Sequence, residues 1–201
     1  SQIEFQSPEY ANKMYYLASH YGKYQTLLDS VKGTNDGKLV FKKDQKYVEG
    51  IYMLATPDKK IELEFMMDAN QKFSIQVTNP TDKTVAISNS NLNQDFNAFN
   101  SFFKTKMEGM KALEKNLADK KTKQDSAIVI QDLKKIQSEI NLYKNNYIQA
   151  NPENTLALLF RMSQPIDNFL HKSAEEKLAT KTDSIAYLKK HFFDGINFKD
   201  N

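Results

Sequence analysis

Cysteine is missing from this 201-residue chain, tryptophan is missing too, and arginine occurs once, as Arg161. Without Cys there is no disulfide, no cysteine nucleophile, no CxxC redox pair and no thiolate metal site within the chain. All but one of the 28 basic residues are lysine, which lacks the planar fork that holds phosphates and base edges at two points. Nucleic acid is therefore not expected as a partner, the more so at a net charge of only +3. Six scattered glycines are too few for a phosphate-cradling loop, and neither GxGxxG nor GxxxxGK[ST] occurs. No run approaches the ~20 apolar residues that span a bilayer, and no charged-then-apolar signal peptide opens the chain. The start at Ser1-Gln2, without methionine, suggests a processed or trimmed N-terminus, from which an export signal could already have been removed.

What is present suffices for a real core: 40% of the residues are apolar and 11% aromatic, in a length that suits one or two domains. The pattern changes near Asn89-Ser90-Asn91. Before that point, short runs rich in Tyr, Val, Ile and Phe alternate with polar residues, which predicts strands over 12–20, 24–31, 38–43, 49–56, 60–67, 71–78 and 83–88. Turn residues separate them: Tyr21-Gly22-Lys23, Asn35-Asp36-Gly37, Pro57-Asp58, Asp68-Ala69-Asn70 and Asn79-Pro80-Thr81-Asp82. Strands recurring every 8–12 residues predict an antiparallel sandwich or partly closed barrel. Ile61, Leu63 and Phe65 share one face, and Phe73, Ile75 and Val77 repeat that alternation, so 60–67 and 71–78 are expected to pair as a hairpin.

After Asn91 the period becomes helical. Phe96, Phe99, Phe103, Met107, Met110, Leu113 and Leu117 form one stripe, and Val129, Leu133, Ile136, Ile140, Tyr143 and Tyr147 form another. A lysine- and aspartate-rich connector over 119–125 would join them as a helical hairpin. Asn151-Pro152-Glu153 reads as the start of a short helix, and 185–193 as a last amphipathic segment. The expected fold is thus α+β: an antiparallel β-sandwich-like domain over 1–90, then an all-α domain over 91–201 with a long helical hairpin. Residues 1–90 carry 11 Lys against 11 Asp and Glu, so the whole net charge lies in the helical half, as expected of solvated helix faces.

Catalytic patterns are sparse. His20, His171 and His191 lack HExxH spacing, and Ser163 and Ser173 lack a GxSxG elbow. Glu62 and Glu64, two apart on a strand, are the one carboxylate pair suited to glycosidic chemistry, although acids on the wet face of a half-buried strand are the default. Phe96, Phe99, Phe102 and Phe103 are explained by packing of the first helix on the sheet. Tyrosines crowd the β half; Tyr10, Tyr15, Tyr21, Tyr24 and Tyr52 are the candidate binding face, able to stack on a sugar or seat a peptide, while tyrosine is also an ordinary strand former. No catalytic residue, cofactor or metal ligand is expected.

The longer motifs carry a resemblance. Tyr16-Leu17-Ala18-Ser19-His20-Tyr21-Gly22, Asp29-Ser30-Val31, Gly37-Lys38-Leu39-Val40-Phe41, Gly50-Ile51-Tyr52-Met53-Leu54, Phe65-Met66-Met67-Asp68 with Gln71-Lys72-Phe73-Ser74-Ile75, and Ile87-Ser88-Asn89-Ser90 before Phe96-Asn97-Ala98-Phe99 resemble the N-terminal β module of envelope thioredoxin-like proteins of the TlpA type from Gram-negative anaerobes. Asn151-Pro152-Glu153-Asn154 and Tyr187-Leu188-Lys189-Lys190-His191-Phe192-Phe193-Asp194-Gly195-Ile196-Asn197-Phe198 look like the helical module that follows. In that family a thioredoxin-like domain with CxxC comes next, about where this chain stops, and no residue here matches its redox pair. The resemblance implies a non-catalytic accessory or recognition region of an exported thiol-disulfide oxidoreductase or disulfide isomerase. Its partners would be the C-terminal thioredoxin-like domain, protein substrates and a second copy in a homodimer. Its location would be the periplasm or cell envelope, with the parent held there as a lipoprotein. An alternative is a free-standing envelope protein that uses the tyrosine-rich face for glycan or peptide. A hydrolase built on Glu62, Glu64 and a histidine comes third.

Overall fold

A computed structural model of the chain describes residues 1–21, 24–118 and 123–163. Eight strands come first: β1 (Gln2–Gln6), β2 (Met14–Tyr21), β3 (Tyr24–Lys32), β4 (Lys38–Lys42), β5 (Gly50–Ala55), β6 (Ile61–Met67), β7 (Lys72–Asn79) and β8 (Thr84–Ser88). Helices α1 (Asn91–Ala118), α2 (Lys123–Ala150) and α3 (Thr155–Met162) follow, so the fold is α+β with strands before helices. The chain divides into two compact units, Ser1–Leu133 and Lys134–Asn201, so α1 falls in the same unit as the strands. Among the described residues no helix is long and apolar enough to cross a membrane.

In the first unit the strands form two four-stranded sheets, ordered β4-β1-β7-β8 and β3-β2-β5-β6. Their inner faces build one core. Ile3, Phe5, Leu39, Phe41, Phe73 and Ile75 come from the first sheet, and Tyr15, Leu17, Tyr52, Leu54, Phe65 and Met67 from the second. Phe65 links the two, its ring 5.1 Å from that of Phe5 and 6.0 Å from that of Phe73.

Three expectations change. β1 was not foreseen: five residues with only two apolar ones carry little pattern, and the strand finds its place through distant partners, antiparallel to β4 and parallel to β7. The parallel pairing also makes the first sheet mixed. Second, β6 and β7 do not form a hairpin but lie in opposite sheets. Their matching alternation reflects two faces buried against each other, so Asp68-Ala69-Asn70 is a crossover between layers. Third, the Asn35-Asp36-Gly37 turn also joins the layers, since β3 and β4 lie in different sheets. Gly37 has φ +80, and a Cβ there would lie 1.9 Å from the Ser7 carbonyl oxygen, so the turn requires glycine.

In the second unit, α3 begins later than expected. Asn154 is its N-cap, the side chain accepting from the Leu156 N–H at 2.7 Å, while Asn151 closes α2 by donating its backbone N–H to the Tyr147 carbonyl at 2.9 Å. Phe160 of α3 is buried and meets Tyr147 edge-on with centroids 5.5 Å apart. The 119–122 part of the predicted connector and the predicted helix over 185–193 lie outside the described residues, as do His171 and His191.

Candidate functional site

Sandwich edges are where backbone groups remain open, and β6 is an edge strand of the second sheet. Its outer side is partly closed by the beginning of α1. Ser90, buried, caps that helix, its Oγ accepting from the Asn93 backbone N–H at 3.2 Å. The cap fixes the first turn so that Asn93, 2% exposed, faces β6. The Met66 N–H donates to Asn93 Oδ1 at 2.7 Å, and Asn93 Nδ2 donates to the Met66 carbonyl at 2.8 Å. One carboxamide thus takes the place of a neighbouring strand's peptide group. Buried Gln71 does the same for Tyr47, accepting from its N–H and donating to its carbonyl, both at 2.8 Å.

The bond to Asn93 also sets the direction of the rest of β6. Antiparallel pairs alternate between bonded and non-bonded, and Met66 turned outward makes Ile51↔Met66 a non-bonded pair. Tyr52↔Phe65 is then bonded and Met53↔Glu64 is not, so the Glu64 N–H and C=O also point away from β5. Among the described residues nothing from the chain takes them.

Beside this open stretch lies a cleft of about 190 Å³. Leu63, Phe65, Ile75 and Ile87 form its floor, where the core reaches the edge, and Asn97 and Asn100 of α1 form its roof. Glu62 and Glu64 both line it, yet they are not equivalent. Opposite Leu54 and Ala55 of the partner strand the register shifts, leaving Glu62 as the extra, unpaired residue of β6, and its carboxylate, 10% exposed, accepts from Lys83 Nζ at 2.5 Å. Lys83 also lies 3.8 Å from Glu9. Glu64 is exposed and makes no ion pair among the described residues. The shared strand face that would unite the two acids is therefore broken, and Glu62 is held as half of an ion pair.

Three of the five tyrosines of the candidate face lie inside the protein. Tyr10, Tyr15 and Tyr52 are 1%, 4% and 3% exposed and belong to the core, so no sugar or peptide can stack on them. Tyr10 and Tyr15 pack on each other with centroids 4.7 Å apart, and the Tyr52 hydroxyl donates to the Val48 carbonyl at 2.6 Å. Alternation alone cannot tell which tyrosines point inward where both sheets contribute an inner face. Tyr21 and Tyr24 pair across the β2–β3 end, and their side chains, like that of His20, lie outside the described residues. Burial raises the Tyr10 and Tyr15 hydroxyl pKa values, with the charges of Glu62 and Glu9 adding to the effect. A second hollow, about 320 Å³, lies on the outer face of the second sheet around Tyr16, Met53, Leu27 and Ile61, the last two 60% and 41% exposed. Among the described residues no group of three His, Asp or Glu gathers as metal ligands. Compared with known proteins, the chain matches no family model, no curated protein and no solved structure.

Sequence reasoning missed Asn93, Asn97 and Asn100 as site residues. A signal existed: three asparagines spaced four and three apart lie on one helical face, next to the apolar stripe that absorbs the attention.

Proposed function

We propose that this chain is a non-catalytic recognition region of an exported thioredoxin-like thiol-disulfide oxidoreductase or disulfide isomerase, selecting or positioning partners for a redox domain carried elsewhere in the parent protein. Two lines support the reading. The motifs quoted above resemble the two modules that precede such a domain, and the chain itself has no Cys with which to do thiol chemistry. The observation that carries the recognition role is the open β6 edge at Glu64, a ready-made hydrogen-bonding surface beside a cleft whose second acid is already tied to Lys83. Such an edge binds another chain; it has no evident use in proton transfer. The corresponding location is the cell envelope, with the parent protein anchored as a lipoprotein.

The reading frame beyond Asn201 tests this directly. A CxxC-bearing domain within the next ~150 residues, the scale of one further domain, is expected. A stop codon with no such domain overturns the proposal.

A further inference from the structure

We infer that the cleft beside β6 binds an extended peptide segment, added antiparallel to the strand at Glu64, that places a basic side chain opposite Glu64 and an apolar side chain beside it over Leu63. The inference deepens the recognition reading above and rests on it for its biological meaning, but the two fail separately. The reading frame decides the first and peptide binding decides the second.

The occupant follows from what the edge already holds. At Met66 a carboxamide stands where a peptide group would, bonded at both its ends. Two residues back along the strand, Glu64 offers the same outward N–H and C=O, with no partner among the described residues. The helix opposite keeps step: four residues of α-helix rise ~6 Å and two residues of strand ~6.8 Å, so Asn97 comes level with Glu64 when Asn93 is level with Met66. Asn97 and Asn100 line the cleft, and their carboxamides bond to no described residue. They face the far side of an inserted strand, where its outward N–H and C=O would otherwise lose water.

Size and charge narrow the ligand further. Small-molecule sites run to ~300–1,000 Å³, whereas this cleft of about 190 Å³ has room for one side chain and the peptide unit carrying it. In an added strand, the residue opposite Glu64 points to the same face as Glu64, and its neighbours point inward. An exposed carboxylate with no ion pair among the described residues therefore selects Lys or Arg there. The floor of Leu63, Phe65 and Ile75 selects an apolar neighbour.

The probe is the capped pentapeptide Thr-Val-Lys-Val-Thr with a fluorescein label, titrated against the whole chain by anisotropy and by amide NMR shifts. Saturable binding with Kd below ~1 mM is expected, with shifts centred on Glu64, Asn97 and Asn100. Methylating the lysine backbone nitrogen removes the donor to the Glu64 carbonyl without touching the protein, and should weaken binding at least ~10-fold. Replacing that lysine by glutamate should cost at least ~5-fold, and Glu64→Gln should erase the difference between the two peptides. Asn97→Ala should weaken binding ~3- to 10-fold. No saturation at 1 mM, equal affinity for the N-methyl peptide, or shifts centred on Leu27, Met53 and Ile61 would each overturn the inference.

Discussion

Replacing Asn93 by alanine removes the carboxamide that stands in for a strand at Met66. Both Met66 groups lose their partners at once, in a place where Met66 itself is 1% exposed. A buried donor or acceptor left unpaired costs about 1–3 kcal/mol, so two of them bracket about 2–6. Some water will follow the shortened side chain, which brings the expectation to about 2–4 kcal/mol. For a chain of this length that is a fall in Tm of roughly 4–16 °C. Asn93→Leu keeps the volume but not the hydrogen bonds, and should be as costly as alanine if the bonds and not the packing matter. Asn93→Asp keeps the acceptor for the Met66 N–H but sets a carboxylate against the Met66 carbonyl. Its neutral form can donate there, so its folded pKa lies above the usual ~3.9. Stability of that variant is therefore fullest below pH ~4 and is lost as pH rises through the folded pKa, so its deficit against wild type narrows in acid. Urea titration followed by far-UV circular dichroism measures all three, since the chain has no tryptophan to report. Asn97→Ala is the control, with an expected change within ~0.5 kcal/mol. A loss below 1 kcal/mol for Asn93→Ala, or a leucine variant as stable as wild type, would refute the reading of Asn93 as a substitute strand.

The remaining expectations concern the turns and the buried phenols. Gly37→Ala puts a Cβ onto the Ser7 carbonyl at a positive φ, and should destabilise by more than ~1 kcal/mol in the same titration; a neutral result would mean the layer crossing is not as tight as drawn. Lys59, non-glycine at φ 65 in the β5–β6 turn and exposed, should gain up to ~1 kcal/mol on mutation to glycine; no gain would mean the strain is absent. Tyr47 is pushed up to about 12 by burial and by Asp29, whose carboxylate accepts from its hydroxyl at 3.2 Å, and Tyr10, Tyr15 and Tyr52 are raised by burial. Raised phenol pKa values contribute stability that is complete below pH ~10 and lost as pH climbs toward 12, because the unfolded chain ionises first. Ultraviolet titration should show these four lagging the others among the ten tyrosines, and a single transition near 10 would contradict their burial.

Much of the fold was legible because its signals are local. Seven strands, the turn residues between them and the change to helix near Asn89-Ser90-Asn91 follow from alternation, turn-forming residues and the change from a strand to a helical period, all within a few positions of each other. What stayed hidden depends on distant partners. Ile3 and Phe5 do not announce a strand until Phe73 and Ile75 lie beside them, and identical alternation in β6 and β7 cannot reveal that the two strands lie in different sheets. The site was less legible still. Tyr10, Tyr15 and Tyr52 were drawn to the surface by their chemistry and into the core by packing, and packing won because both faces of the sandwich interior needed aromatic volume. Asn93 and Glu64 carry no motif; their meaning comes from the edge position of β6.

Amide hydrogen exchange on the intact chain compares Met66 with Glu64 directly. With Asn93 closing the edge at one and no described residue closing it at the other, the Met66 N–H should exchange at the slow rate of the core while the Glu64 N–H, two residues away, exchanges orders of magnitude faster. Addition of the lysine pentapeptide should slow Glu64 alone. Equal protection of the two amides in the free protein would contradict the open edge on which the recognition role depends.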